Sequence, residues 1–295
     1  MVAILAATLF YLSEAQARTY NYTSFDVPEA TRNTVPFGIN NGGTIAGFYY
    51  QNGFYHGFIK TAGGSYTTID VDGASDTFIY GINANGRIVG GYGNPEVYTS
   101  GHGFIYDNGT YILPFPFDVP GSFGSYPAGI NLTGQIAGQY SQDGTFQGVR
   151  GFLWSGGNFT TLSEPVAISY EPRGINDAGW IVGSYGDVNS INHGFIRSPG
   201  GAFSTFDVPG ATHTLISGIN NHNWISGWYR HNDGTYHGFV YDGLAFSYID
   251  VAGADNTQVW GINDLGQVVG TYADHGFLAT PVRDISGLLL LLLGD

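Results

Sequence analysis

The chain of 295 residues contains no cysteine, and its nine basic residues are outnumbered by 23 acidic ones, which gives a net charge of −14. Without cysteine there is no disulfide, no thiolate metal site and no thiol catalysis. The shortage of lysine and arginine excludes the clustered basic surface that nucleic acids and anionic membranes require. Divalent cations and small neutral ligands, such as glycans, esters and lactones, remain open as partners.

Long apolar segments are also missing. Val2–Leu12 is an apolar run of 11 residues, too short to cross a bilayer, and Ala15–Ala17 after it has the A-x-A pattern of a signal-peptide cleavage site. The sequence therefore predicts a signal peptide over residues 1–17 and a secreted, periplasmic or extracellular protein. Six leucines at 288–293, in a C-terminal tail over residues 282–295, are too few for a membrane anchor. We expect no stable membrane insertion.

Common catalytic motifs are absent as well. There is no Gly-x-Ser-x-Gly elbow and no His-Glu-x-x-His, and the single lysine, Lys60, does not lie in a phosphate-binding loop. What the chain has in excess is glycine, with 47 residues, together with 20 phenylalanines and 21 tyrosines. Few lysines, glutamates and leucines accompany them, and this composition predicts an all-β fold.

An internal repeat specifies the architecture. The tripeptide Gly-Ile-Asn occurs six times, 43 to 48 residues apart, and begins at Gly38, Gly81, Gly129, Gly174, Gly218 and Gly261. Each copy is followed by a segment of the type Gly-x-Ile/Val-x-Gly-x-Tyr, then by His-Gly-Phe and then by Phe/Ile-Asp-Val, although single copies deviate. Each unit thus holds four short β-like runs separated by turn residues, which is typical of a β-propeller blade.

The phase of the repeat predicts how the ring closes. The sequence after the signal peptide begins with an isolated Phe-Asp-Val strand at 20–27, and it ends with a His-Gly-Phe strand at 275–280 that lacks such a partner. The first strand can therefore complete the last blade and leave few open sheet edges. We predict a six-bladed propeller over residues 18–281 with four strands in each blade, and we expect a monomer.

The motifs GIN-x-x-G-x-I-V-G-x-Y, HGF and FDVPGA resemble those of the HAF-repeat family of extracellular bacterial proteins. The resemblance covers residues 20–280. It implies secretion and a repeat fold, and it implies no particular activity. Many proteins of that family look as though they end in a Pro-Glu-Pro sorting tail, whereas this chain has Pro281-Val282-Arg283 and a short leucine run.

The repeated histidines and aspartates recur together. The one repeat with Arg150 in place of the histidine of His-Gly-Phe also has Ser163 in place of the aspartate. This joint loss predicts a buried hydrogen bond from histidine to aspartate, or to the backbone, within each blade. Alternatively, the repeated tyrosines and histidines could form one lectin-like sugar site in each blade.

Other positions of the repeat carry a different residue in each blade, and these predict a single ligand site in place of one site in every blade. Five and six residues before the Gly-Ile-Asn motifs lie Asn33, Asp76, His213, Asp255 and Asn256, at the start of the predicted innermost strands. Oxygen ligands of this kind suit a hard cation such as calcium. In this hypothesis Asp76, Asn33 and Asn256 bind Ca²⁺, while His213 or Asp255 activates water. Turn capping by the same residue types is the alternative.

Two classes of function follow. The first is a secreted propeller that binds a glycan or a protein, or serves as an envelope scaffold. The second is a calcium-dependent hydrolase of the lactonase or esterase type with its site at the central opening, an analogy of fold alone. Equivalent sites in all blades would favour a lectin, and one acidic cluster an enzyme. The variable loops after the second strands hold further polar candidates: Glu96, Asp143, Asp187, His231 and Asp233.

Overall fold

The computed structural model describes residues 17–93, 101–112, 114–145, 148–162 and 167–282. Residues 1–16 of the predicted signal peptide and 283–295 of the predicted tail lie outside these ranges, and so do Glu96 and Ser163. The described chain forms 24 β-strands and no α-helix. Accordingly, no helix in these ranges is long and apolar enough to cross a membrane.

The strands form six antiparallel sheets of four strands, so the six-bladed propeller is confirmed. Blade 1 contains β2 (Arg32–Ile39), β3 (Ile45–Gln51), β4 (Phe54–Lys60) and β5 (Tyr66–Ile69). Blade 2 contains β6 (Thr77–Ile82), β7 (Ile88–Tyr92), β8 (His102–Asp107) and β9 (Thr110–Tyr111). Blade 3 contains β10 (Gly124–Ile130), β11 (Ile136–Ser141), β12 (Val149–Ser155) and β13 (Asn158–Leu162).

The remaining blades follow the same order. Blade 4 contains β14 (Ser169–Ile175), β15 (Ile181–Gly186), β16 (Asn192–Arg197) and β17 (Phe203–Phe206). Blade 5 contains β18 (His213–Ile219), β19 (Ile225–Arg230), β20 (Tyr236–Tyr241) and β21 (Phe246–Ile249). Blade 6 contains β22 (Thr257–Ile262), β23 (Val268–Tyr272) and β24 (His275–Pro281), and its fourth strand is β1 (Tyr20–Phe25) from the other end of the sequence.

Strand β1 closes the ring as the repeat phase predicts. It pairs antiparallel with β24 in an unbroken register from Tyr20 opposite Pro281 to Phe25 opposite Gly276. The outer edge of β24 is thereby paired along its length, as the outer edges of the third strands are in the other blades.

The core lies between neighbouring blades. Six apolar clusters are present, one at each interface between blades. The phenylalanine of each His-Gly-Phe motif, or of its Arg-Gly-Phe variant, is fully buried in one of them: Phe58, Phe104, Phe152, Phe195, Phe239 and Phe277. Full burial of a phenylalanine side chain contributes roughly 2–3 kcal/mol, so the repeated aromatic positions are explained by packing.

One repeated glycine is required by close backbone approach. A Cβ atom on Gly90 in β7 would clash with the carbonyl oxygen of Phe78 in β6 and with the ring of Phe104 in β8. Only glycine fits such a position.

The asparagines of the Gly-Ile-Asn motifs form a closed ring of hydrogen bonds. Each side-chain amide donates from Nδ2 to the main-chain carbonyl of the corresponding asparagine in the next blade, over 3.0–3.3 Å, and the sixth bond returns to the first blade. Each Oδ1 also accepts an amide of its own turn. The members of this asparagine ring, all at most 9% exposed, are Asn40, Asn83, Asn131, Asn176, Asn220 and Asn263.

The predicted pairing of histidine with aspartate is confirmed, but its predicted burial is wrong. In five pairs the Nδ1 atom of histidine lies 2.6–2.9 Å from a carboxylate oxygen of aspartate. The shortest distance joins His102 to Asp118, and the longest joins His237 to Asp250. The histidine side chains are 24–49% exposed. The burial differs because each pair lies at the margin of its sheet, where the third strand starts and the fourth has just ended.

Candidate functional site

A β-bulge occurs at the same position in the innermost strand of every blade. The pairing of the first two strands shifts by one residue directly before the glycine of each Gly-Ile-Asn motif. Bulges redirect a side chain out of the regular alternation of a strand. The bulged residues, here called the bulge ring, are Phe37, Tyr80, Ala128, Arg173, Ser217 and Trp260.

Three neighbouring members of the bulge ring are aromatic. The ring of Phe37 stacks on that of Trp260 from blade 6 with centroids 4.8 Å apart, and its edge meets Tyr80 from blade 2 at 5.3 Å. Phe48, on the second strand of blade 1, stacks against Phe37 at 5.5 Å. Because these contacts bridge three blades, the bulge residues converge at the centre of the propeller.

The opposite side of the bulge ring is polar. Arg173 belongs to blade 4, which lies across the ring from blade 1, and its Nη2 donates to Oε2 of Glu171 over 3.0 Å. Arg173 Nε is buried and has no hydrogen-bond partner among the described residues. The two charges cancel, so this side offers directed donors and acceptors without net charge.

A cavity of about 340 Å³ lies beside the aromatic members, between the inner strands of blades 1 and 6. Phe37, Phe48 and Trp260 line it together with polar residues such as Gln258 and Thr271. The indole of Trp260 is held in place because its Nε1 donates to Oγ1 of Thr271 over 3.1 Å. Small-ligand sites in proteins usually have this size, a largely apolar or aromatic wall and a few polar groups in fixed positions.

The two ends of the central channel differ. The cavity beside the bulge ring is reached from the end where the innermost strands begin, as its lining by Asn33 and Thr34 indicates. At the other end the space enclosed by the asparagine ring measures about 90 Å³. The nitrogens and oxygens of the asparagine ring are already engaged in hydrogen bonds, so that end serves to close the fold.

Three of the predicted site residues bind backbone amides of the preceding blade. Asp76 Oδ1 accepts from Tyr55 N over 2.8 Å, and Asn256 Oδ1 accepts from Tyr236 N over 2.9 Å. His213 Nδ1 accepts from the amide of Asn192 over 3.1 Å. These bonds lie at three different interfaces, and each satisfies the amide at the start of a third strand. The structure therefore gives Asp76, His213 and Asn256 a role in joining blades.

The other two predicted residues lie elsewhere. Asn33 lines the 340 Å³ cavity and has a left-handed backbone, with φ of 52°. Asp255 is exposed. In the described part of the chain no three histidine, aspartate or glutamate residues are placed to hold a metal ion, and the calcium site stays a prediction.

Three polar candidates in the variable loops cap their own turns. Asp143, Asp187 and Asp233 each accept from the backbone amide two residues further on, over 2.9–3.0 Å. The hydroxyl of Thr235 also donates to Asp233, and this bond together with the amide of Thr235 lowers the pKa of Asp233 to about 2. These carboxylates are therefore ionised structural acceptors at neutral pH.

The bulge ring is absent from the residues predicted above as a site. Its signal is present in the sequence, since the residue before Gly-Ile-Asn varies from alanine to tryptophan while the tripeptide itself does not change. What could not be predicted is the bulge, because it depends on the register of strand pairing.

Fold and site together define a six-bladed β-propeller with an asymmetric cavity between the inner strands of blades 1 and 6. No protein-family model and no curated protein matches the chain. Among solved structures, a gluconolactonase from Xanthomonas campestris is similar with a TM-score of 0.57 and 13% identity, over 90% of this chain and 92% of the other.

Two further structures resemble the chain over most of their length. Virginiamycin B lyase from Staphylococcus aureus gives a TM-score of 0.51 and 12% identity, over 90% of this chain and all of the other. The lectin of Aleuria aurantia, in complex with Fucα1-6GlcNAc, gives a TM-score of 0.52 and 12% identity. The match covers 81% of this chain and 88% of the lectin. At such identities the likeness establishes the fold alone.

Proposed function

We propose that the protein binds a small neutral ligand, a glycan, in the cavity beside the bulge ring, and that it does so outside the cytoplasm. The observation that carries this proposal is the asymmetry of the bulge ring. If the bulge ring served packing alone, one residue type could occupy the position in all six blades. Instead, blades 6, 1 and 2 have the aromatic residues Trp260, Phe37 and Tyr80, and blade 4 has Arg173.

The chemistry of the walls favours a sugar. Aromatic faces offer an apolar platform for the C–H face of a sugar ring, and the polar side chains of Gln258 and Thr271 in the same lining suit hydroxyl groups. The net charge of −14 disfavours an anionic ligand. The solved lectin of the same fold is in complex with the disaccharide Fucα1-6GlcNAc, which supports the proposal by analogy of fold.

The test is a screen of purified protein against a neutral glycan array, followed by calorimetry on the hits. Phe37→Leu keeps apolar volume but removes the aromatic face, so we expect it to weaken binding about five- to tenfold. Phe54→Ala is the matched control, since Phe54 is 49% exposed at the tip of the β3–β4 hairpin and takes no part in the cavity lining. Equal affinities for both variants and the unchanged protein, or no hit at all, refute the proposal.

A calcium-dependent lactonase or esterase is the second candidate. The observation in its favour is that Asn33 and Asp274 line the same cavity, which brings oxygen ligands next to the aromatic wall. We expect calcium to raise the melting temperature after EDTA treatment, and Asp274→Ala to abolish hydrolysis of a lactone or a p-nitrophenyl ester. Absence of both the calcium effect and turnover would eliminate this candidate.

A further inference from the structure

A continuous strip of aromatic rings leads from the cavity to the protein surface. Phe48, at the cavity wall, meets the ring of Tyr55 at 5.5 Å, and Tyr55 meets Tyr50 at 5.2 Å. Phe78 from blade 2 supports the strip from the side, with ring centroids 4.9 Å from Phe48 and 5.1 Å from Tyr55. The guanidinium of Arg32 stacks on Tyr50 at 4.3 Å and ends the strip in solvent.

The register of β3 and β4 explains why these side chains share one face. Tyr50 pairs directly with Tyr55 across the two strands, and Phe48 lies two residues before Tyr50. Side chains two residues apart point to the same face of a strand. The alternate face carries Tyr49 and His56, whose rings contact each other at 5.4 Å. The strip is therefore a separate surface from the repeated histidine–aspartate pairs.

Among the described residues, the complete strip occurs only in blade 1. Blade 5 has its first two members, Trp228 and Tyr236 with ring centroids 5.3 Å apart, but Arg230 stands in place of Tyr50. The equivalents of Phe48 are Gly91, Gln139, Ser184, Trp228 and Thr271. The equivalents of Tyr50 include Ser141, Gly186 and Arg230. Blade packing does not require an aromatic residue at either position, and in blade 1 the aromatic residues follow each other outwards from the cavity.

We propose that the ligand is an oligosaccharide chain, of which one terminal ring occupies the cavity and the following rings lie along Tyr55 and Tyr50. This inference rests on the proposed function. The only aromatic residues that a single sugar in the cavity would contact are Phe37, Phe48 and Trp260. Each further ring gains contact with an aromatic side chain, and the last one gains hydrogen bonds from the exposed guanidinium of Arg32, which stacks on Tyr50.

The experiment measures affinity against chain length. Calorimetry is carried out with mono-, di- and tetrasaccharides of the gluco-, manno-, xylo- and chito- series on the unchanged protein, on Tyr50→Ala and on Tyr248→Ala. Tyr248 is the matched control because it is 51% exposed on the outer strand of blade 5. In the series that binds, we expect affinity to rise with length, and Tyr50→Ala to weaken tetrasaccharide binding about five- to tenfold with no change for the monosaccharide.

The outcomes separate the two proposals. Affinity that is independent of length, or equal losses in Tyr50→Ala for the short and the long sugar, overturns the extended site and leaves the cavity as the binding site. Absence of binding in every series overturns the proposed function itself. Circular dichroism and the melting temperature of Tyr50→Ala establish that a loss of affinity is not a loss of fold.

Discussion

Removal of one member of the asparagine ring tests whether these bonds hold the propeller together. Asn83 is 5% exposed, donates to the carbonyl of Asn131 over 3.2 Å, and accepts from the amides of Asn85 and Arg87, each over 3.0 Å. At about 1 kcal/mol for each hydrogen bond, Asn83→Ala should lower the free energy of unfolding by about 3 kcal/mol. For a chain of this size the melting temperature should fall by about 5–10 °C.

Two further variants make this measurement specific. Asn85→Ala changes an exposed side chain in the same turn and should cost less than about 0.5 kcal/mol. Asn83→Asp keeps the two accepted amides but sets an oxygen against the carbonyl oxygen of Asn131, so it replaces the bond between blades with a repulsion. The assay is urea unfolding followed by tryptophan fluorescence and circular dichroism. If Asn83→Ala unfolds at the same urea concentration as Asn85→Ala, the asparagine ring does not stabilise the fold.

Three other predictions concern closure, the exposed pairs and the tyrosines. Deletion of residues 18–25 exposes the edge of β24, so we expect a lower melting temperature and aggregation in light scattering, and an unchanged monomer would contradict this. Because the pair is partly exposed, His102→Gln should change the free energy of unfolding by less than about 1 kcal/mol in urea titrations; a larger loss would mean that the pair is structural. Burial raises the pKa values of Tyr20, Tyr111 and Tyr229 to about 12, so their stabilising contribution is complete below pH 10 and is lost as the pH rises towards 12. Absorbance at alkaline pH should show tyrosines that ionise late, and titration of all tyrosines near pH 10 would refute this.

The number of blades and the closing strand were predictable because each depends on a pattern that the sequence repeats. Six copies of Gly-Ile-Asn give six innermost strands, and the unpartnered Phe-Asp-Val strand at 20–27 specifies the partner of β24. The pairing of histidine with aspartate was predictable for the same reason, since Arg150 and Ser163 replace both residues in one blade. Its exposure depends on where the strands end, which the motifs do not encode.

The candidate site was less predictable because it depends on contacts between blades. The unequal residues at the start of the innermost strands were singled out correctly as irregular, but Asp76, His213 and Asn256 satisfy amides of the neighbouring blade. An unpaired amide at the start of a third strand is a property of the folded backbone. Phe37 and Trp260 of the bulge ring line the cavity instead, and a comparison of all variable positions within the repeat would have found them.

The pairing of β1 with β24 has a consequence for biosynthesis. Asp26 and His275, which hydrogen-bond across this closure, are separated by 249 residues. Strand β1 therefore receives its partner only after every other blade has been made. During this interval an incomplete ring exposes the apolar face that blade 6 will cover and an unpaired strand at its start. The slow step of folding should be the arrival of this distant partner, and chaperones that shield strand edges would act on this intermediate.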